Sequence, residues 1–229
     1  NPYFDGRWYL QHYPRVGKMG LHPLQHYIQY GLKEQTEPNP YFDTLWYLEQ
    51  YPEAKSDSLC PLAHYLKHVH SGTVNPNAYF DAKWYMNTYP DIRKNNLDPL
   101  LHFIIIGAEE RRDPGPFFST EWYLFHNEDV ATNEVNPLLH YLHNGAYEMR
   151  DPAPAFDTSW YVHKYPEVLK SGMPPLMHYI CLGYEEGKLP FDPKETTIRK
   201  NNYASWFHSF YAIGELDKNT MKCDMVGFA

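Results

Sequence analysis

Apolar residues recur three and four positions apart in five separate stretches of the chain, which is the pattern of an amphipathic helix. The first stretch is Leu24, Tyr27 and Ile28. The later ones are Leu62, Tyr65 and Leu66; Leu100, Phe103 and Ile104; Leu138, Tyr141 and Leu142; and Leu176, Tyr179 and Ile180. Each lies 38 residues after the one before, with polar, proline-rich connectors between them. The pattern predicts five copies of one helical element.

Two other residue types keep the same 38-residue step. Tryptophan stands at Trp8, Trp46, Trp84, Trp122 and Trp160, and histidine at His26, His64, His102, His140 and His178. A fixed period of this length is typical of a tandem array whose units bury their apolar sides against their neighbours. We therefore predict an all-α fold, a helical solenoid built from short helices. We place its five units at residues 1–38, 39–76, 77–114, 115–152 and 153–190.

Residues 191–229 leave this register. Their aromatic residues Trp206, Phe207, Phe210 and Tyr211 stand at helical spacing. We interpret the segment as an atypical C-terminal cap of the array or as the start of a further domain.

Each predicted unit opens with an aromatic residue, a capping residue, two variable positions and Trp-Tyr. The capping residues are Asp5, Asp43, Asp81, Ser119 and Asp157. Their side-chain oxygens can accept hydrogen bonds from the free amides at a helix start. In the first unit Phe4 precedes the cap and Tyr9 comes at the fourth helical position, which predicts a hydrophobic staple.

The first helix of each unit is predicted to be short, because a proline comes soon after it. Tyr13 precedes Pro14, and a residue before proline is biased out of the α region. The fourth unit has Asn127 and Glu128 at these positions, so we expect a longer first helix there. A short helical turn is expected after each proline.

The second helix is predicted to start at a recurring proline, since proline suits the first helical position. These prolines are Pro23, Pro61, Pro99, Pro137 and Pro175. Four glycines come after the apolar stretches, and we expect them to end the helices in the left-handed conformation. They are Gly31, Gly107, Gly145 and Gly183. The second unit has Val69 there, so its loop should differ.

Composition narrows the range of partners. Of the 229 residues, 43% are hydrophobic, which favours a packed fold over disorder. The net charge of −8 disfavours nucleic acid and anionic membranes as partners. No stretch reaches the roughly 18 apolar residues of a membrane span. The three cysteines, Cys60, Cys181 and Cys223, show no pattern, which fits reduced thiols and predicts a cytoplasmic location. A partner or a flanking domain could hold the protein at the inner face of the membrane.

Several recurring side chains could carry chemistry, and each has a structural alternative. The histidines could be catalytic or metal-binding, or could donate to a backbone carbonyl or carboxylate of the adjacent unit. We favour the structural role, and we name His64, His68 and His70 as a weak candidate metal cluster. The tryptophans could stack on sugars or anchor the core, and we favour the core. The tyrosines directly after them could be buried or form an exposed ladder, and we favour burial.

Catalytic signatures are absent from the sequence. It contains no HExxH, no P-loop, no GxGxxG and no GxSxG pattern. We therefore assign no catalytic residue and no cofactor.

The repeat motif F-D-x-x-W-Y-L-x-x-Y-P, with P-L-x-H-Y after it, resembles repeats that accompany glycosyltransferase domains in bacterial polysaccharide and O-antigen assembly proteins. Phe42 to Leu48 and Pro137 to Tyr141 carry this resemblance, which extends over residues 1–190. It implies a bacterial protein of surface-polysaccharide synthesis whose catalytic residues lie in neighbouring domains. The opening Asn1 and Pro2 match Asn39 and Pro40 in phase, so we interpret the chain as a segment of a longer protein.

Two functions are compatible with these features. The first is a non-catalytic scaffold that binds a protein partner or a second copy of itself. The second is a carbohydrate-binding module that uses exposed aromatic rings. An enzymatic function finds no supporting residues.

Overall fold

The computed structural model describes residues 3–56 and 60–195. Throughout this part the chain is helical, and no strand occurs in it beyond two isolated bridges, Gly115 with Phe118 and Ala153 with Phe156. The all-α fold class is thereby confirmed. The chain divides into two compact units, residues 1–101 and 102–229. The aromatic cluster expected at 206–211 lies outside the described residues.

Residues 1–101 contain nine helices within the described ranges. They are Gly6–His12 (α1), Pro14–Lys18 (α2), Pro23–Glu34 (α3), Thr44–Gln50 (α4), Glu53–Ser56 (α5), Pro61–His68 (α6), Ala82–Thr88 (α7), Pro90–Lys94 (α8) and Pro99–His102 (α9), which ends one residue beyond the division. The α6 helix continues as a 3₁₀ turn, Val69–Ser71.

Residues 102–195 repeat the same order of elements. The helices are Thr120–His126 (α10), Glu128–Thr132 (α11), Pro137–His140 (α12), Thr158–Lys164 (α13), Glu167–Ser171 (α14) and Pro175–His178 (α15). Wider π-helical turns are found at Phe103–Gly107, Tyr141–Gly145 and Tyr179–Gly183, and a 3₁₀ turn at Pro193–Glu195.

Helices α1, α4, α7 and α13 begin at an aspartate whose carboxylate accepts backbone amides of the first turn. Asp43, for example, accepts from the amide of Trp46 at 3.0 Å. Ser119 stands at the same place before α10, but its hydroxyl makes no capping hydrogen bond. The connector also supplies an acceptor at this helix start, because Asp113 Oδ1 accepts from the amide of Thr120 at 2.7 Å, as Asp151 Oδ1 does from Thr158 at 2.8 Å.

The first helix of the fourth unit is not longer than the first helices of the other units. Both α10 and α1 have seven residues, so the expected extension is wrong. The side-chain amide of Asn127 donates to the carbonyl of Tyr123 at 2.7 Å and occupies an acceptor at the end of the helix. Asn127 has φ −129° and ψ 78°, close to the values of Tyr13 in the first unit. The turn therefore forms without proline.

The recurring glycines do not end the helices in the left-handed region. Four residues lie 35 positions into the predicted units and take that conformation: Gln35, Arg111, Met149 and Gly187, with φ between 52° and 70°. Gly145 and Gly183 instead lie inside the π turns, against tyrosine hydroxyls. A β-carbon at Gly183 would overlap the hydroxyl of Tyr161. Close packing therefore requires glycine at these positions. In the second unit Val69 stands at the corresponding position and is the first residue of the 3₁₀ turn.

We call the helices of each predicted unit a group. In the first, second, fourth and fifth groups a backbone hydrogen bond joins the start of the first helix to the connector at the end of the group. The cap amide donates to a proline carbonyl 33 residues later, as from Asp5 to Pro38 and from Asp157 to Pro190. The connectors are also tied to the next helix, since Thr158 Oγ1 donates to the carbonyl of Arg150 at 3.0 Å. Within residues 1–101, Tyr3 donates to Asp98 Oδ2 at 2.6 Å, which links segments 95 residues apart.

Candidate functional site

The most regular side-chain constellation is a buried tyrosine paired with a histidine 17 residues later. The tyrosine lies on the first helix of each group and the histidine on the helix that starts with proline. Tyr hydroxyl to His Nδ1 distances are 2.9 Å for Tyr9–His26, 2.7 Å for Tyr47–His64, 2.9 Å for Tyr123–His140 and 2.9 Å for Tyr161–His178. In these four pairs the hydrogen bond at Nδ1 joins the histidine to a tyrosine of its own group, whereas the predicted partner was a carbonyl or carboxylate of the adjacent unit.

The protonation of the Tyr161–His178 pair follows from its burial. The five tyrosines Tyr9, Tyr47, Tyr85, Tyr123 and Tyr161 have no exposed surface, as the favoured interpretation requires. Burial raises the pKa of Tyr161 and lowers the pKa of His178. A neutral phenol and a neutral imidazole therefore face each other, which suits a single hydrogen bond between two uncharged groups.

The first pair is extended by further polar groups. Tyr9 is also hydrogen-bonded to Thr36 Oγ1 at 2.8 Å. The Nε2 atom of His26 lies 3.5 Å from Glu34 Oε2, and this buried nitrogen makes no hydrogen bond among the described residues. Glu34 in turn binds Arg15 at 2.5 Å. Such a chain connects three helices and leaves the imidazole enclosed by protein.

The tryptophans contribute less to the core than predicted. Of the five, only Trp46 is buried; Trp8, Trp84, Trp122 and Trp160 are half-buried. The adjacent tyrosine points inward and fills the centre, so the larger indole lies at its side. Two indoles are stacked on imidazoles, Trp8 on His12 and Trp122 on His126, with ring centroids 4.0 Å and 3.9 Å apart.

The candidate metal cluster does not assemble. His64 is buried and uses Nδ1 for Tyr47, while His70 is exposed on the 3₁₀ turn after α6. The rings of His64 and His68 do lie near each other, with centroids 4.8 Å apart. Within the described ranges, no three His, Cys, Asp or Glu side chains converge as metal ligands do.

Two carboxylic acids in the connectors have pKa values well above their usual range. Burial raises the pKa of Glu37 to about 7 and that of Asp113 to about 7. Neighbouring acids, Asp43 and Glu121 respectively, add to the shift. Asn75 accepts from the amide of Ala82 in the way Asp113 accepts from Thr120, so a neutral side chain can perform the same structural task. Sequence reasoning missed these acids because nothing local distinguishes them from exposed ones.

In the fourth group Asn127 stands in place of a tyrosine, and an ion-pair network ties the connector to the short helix. The fifth group has its tyrosine and also an ion pair at the equivalent positions, Lys188 with Glu167 at 3.3 Å. In the first, second and fifth groups a tyrosine hydroxyl accepts a connector amide, as Tyr165 accepts from Leu189 at 2.9 Å. In the fourth, Arg150 binds both carboxylate oxygens of Asp129 at 2.8 Å and also donates to Asn127. The guanidinium therefore ties the connector to α11.

Comparison with known proteins returns no assignment: no protein-family model, no curated protein and no solved structure matches the chain. None of the helices in the described part has the length and hydropathy needed to cross a bilayer.

Proposed function

We propose that this chain is a non-catalytic repeat scaffold that binds proteins, within a larger bacterial glycosyltransferase or surface-polysaccharide biosynthesis protein. The observation that carries the proposal is how the recurring polar side chains are used. Tyr161 and His178, like the equivalent pairs, direct their polar atoms at each other inside the core. Residues kept in this way serve the architecture, and binding is left to the residues that vary between groups.

The variable positions supply apolar surface. Phe125 is 80% exposed, Tyr147 68% and Leu169 66%. Large apolar side chains exposed on an ordered helical framework are typical of protein interaction sites when they form patches. Phe125 and Tyr147 belong to the fourth group and Leu169 to the fifth, at different positions along the repeat, so these two groups offer different apolar surfaces on the same framework.

The association with polysaccharide synthesis rests on the resemblance of the repeat motif alone. Under this proposal the array works in the cytoplasm and holds a flanking glycosyltransferase domain near its partner or near the membrane face.

Carbohydrate binding is the second candidate, and the half-buried indoles favour it. An indole that is open on one face can stack on a sugar ring. Two of the four half-buried indoles, Trp8 and Trp122, already have an imidazole stacked on one face. Trp84 and Trp160 are therefore the better candidates for this role.

The scaffold proposal can be tested with proteins from a bacterial lysate captured on the immobilised chain. We expect specific capture that is lost when Phe125, Tyr147 and Leu169 are changed to serine together. A matched control changes the exposed polar residues Gln11, Gln25 and Gln29 to serine and should capture normally. Release of nucleotide from UDP- or GDP-sugars by the isolated chain would overturn the proposal.

The carbohydrate alternative predicts a different readout. Titration with bacterial polysaccharides should change tryptophan fluorescence, and Trp160→Phe should reduce that change. A flat titration for every polymer would exclude the alternative.

A further inference from the structure

Two surfaces of the chain are complementary in charge, and both are formed by a first helix and the short helix after it. We name residues 120–135, with α10 and α11, the acidic face, and residues 6–21, with α1 and α2, the basic face. The acidic face contains Glu121, Glu128, Asp129 and Glu134 and no Lys or Arg. The basic face contains Arg7, Arg15 and Lys18 and no Asp or Glu.

The acidic face is centred on the most exposed large apolar side chain among the described residues. Phe125 is 80% exposed and touches the ring of His126 edge-on, with centroids 5.1 Å apart. His126 is stacked on Trp122, so the phenylalanine belongs to a fixed group of rings. Glu121 lies one helical turn before Phe125 on the same side of α10. An exposed aromatic ring held by neighbouring rings suits an anchor that a partner can bury.

The basic face offers the matching features. Leu10 is 37% exposed and Met19 54%. Arg7 lies three residues before Leu10 on α1, and a β-carbon at Gly17 of α2 would lie 3.8 Å from Leu10, so the two helices meet at this leucine. Arg15 is engaged by Glu34, whereas Arg7 and Lys18 form no ion pair among the described residues.

The acidic face also has carboxylates that can pair with another molecule. Asp129 is neutralised by Arg150, while Glu121 and Glu128 are exposed and form no ion pair with the part of the chain that is described. Opposite charges placed around apolar centres steer association and fix register.

Because one chain carries both surfaces, we propose that the acidic face of one copy binds the basic face of a second copy. This inference rests on the proposed scaffold function and names its partner. Phe125 packs against Leu10 and Met19 of the other copy, and Glu121 and Glu128 pair with Arg7 and Lys18. The contact joins two different surfaces, so it is heterologous and can extend beyond a dimer.

The test is the concentration dependence of the mass of the full chain, measured by sedimentation velocity. We expect reversible association at about 50 mM salt that weakens at about 500 mM salt, since exposed pairs are screened. Phe125→Ser should weaken association at least about tenfold, as expected for an aromatic anchor. Leu169→Ser is the matched control, because Leu169 is 66% exposed on α14 outside both faces.

Charge reversal makes the test decisive. Glu121→Lys with Glu128→Lys makes both faces basic, and Arg7→Glu with Lys18→Glu makes both faces acidic. Each double variant should be monomeric by itself, and an equimolar mixture of the two should associate again. Circular dichroism checks that each variant keeps its helices.

Three results would overturn the inference: a monomer at all concentrations, association unaffected by Phe125→Ser, or a mixture of the reversed variants that stays monomeric. These failures are distinct from failure of the scaffold function. That function is tested by nucleotide-sugar turnover and by lysate capture with the three serine substitutions.

Discussion

The hydroxyl of Tyr161 lies 2.9 Å from Nδ1 of His178, and this contact joins α13 to α15 inside the core. The same pair recurs at Tyr9–His26, Tyr47–His64 and Tyr123–His140. Helices of seven residues have little stability in isolation. The pair therefore fixes the position of one short helix on another at a buried point where water cannot replace the missing partner.

Removing one partner of the pair should reveal the free-energy cost of leaving the other buried without its hydrogen bond. We expect Tyr161→Phe to lower the free energy of unfolding by about 1–3 kcal/mol, because His178 Nδ1 loses its hydrogen bond in a buried site. Tyr184→Phe is the control: Tyr184 is 37% exposed, and its change should stay within about 0.5 kcal/mol. Urea unfolding followed by circular dichroism measures both. Equal stability of the two variants would contradict the structural importance of the pair.

The glycine beside the pair should not tolerate a methyl group. Gly183→Ala places a β-carbon on the hydroxyl of Tyr161, and overpacking of this kind costs about 1–3 kcal/mol. At Gly17→Ala the added β-carbon would lie 3.8 Å from its nearest neighbour, a side-chain atom of Leu10, and alanine has a higher helix propensity than glycine. We therefore expect this variant to raise the free energy of unfolding by about 0.5 kcal/mol. Thermal unfolding of the two variants should move in opposite directions. A stabilised Gly183→Ala would disprove the packing role.

Asp113 should make the stability depend on pH. Its pKa rises from 3.8 to about 7, so the folded chain holds the proton more tightly than the unfolded chain does. The stabilising effect of that proton is complete below about pH 4 and is lost as the pH rises through about 7. Asp113→Asn keeps the acceptor for Thr120, as Asn75 does for Ala82, and removes the titration.

We therefore expect Asp113→Asn to match the wild type near pH 4 and to exceed it by about 1–2 kcal/mol at pH 8. Urea midpoints measured at several pH values give the difference between the two proteins. That difference isolates Asp113 from Glu37, whose pKa is also about 7, and from His140 and His178, whose lowered pKa values act in the opposite direction. A difference that does not vary with pH would contradict the assignment.

The capping positions should not be equivalent. Asp43→Ala removes an acceptor for the amide of Trp46 and should cost about 1 kcal/mol. Ser119→Ala should cost clearly less, because the serine hydroxyl makes no capping bond and Asp113 already serves the start of α10. Chemical denaturation of both variants tests the order. A larger loss for Ser119→Ala would show that the hydroxyl caps the helix after all.

Local features of the fold could be predicted from the sequence. The cap at Asp43, the helix start at Pro61 and the early end of α1 at Tyr13 each depend on residues within a few positions of one another. Local hydrogen bonding and the fixed φ of proline decide such features before the chain folds. The 38-residue period likewise predicted the helical class, since every copy repeats the same local instructions.

The partners of the side chains were decided by tertiary structure. Nothing near Trp160 in sequence tells that its indole lies beside the core and not within it, or that Gly183 is there to admit the hydroxyl of Tyr161. Likewise, the desolvation of the half-buried Asp113 and the contact of Tyr3 with Asp98 arise from segments that meet only after folding. The sequence determines which short helices form, because those signals act over one turn. Burial and hydrogen-bond partners depend on distances across the packed chain, which no local pattern contains.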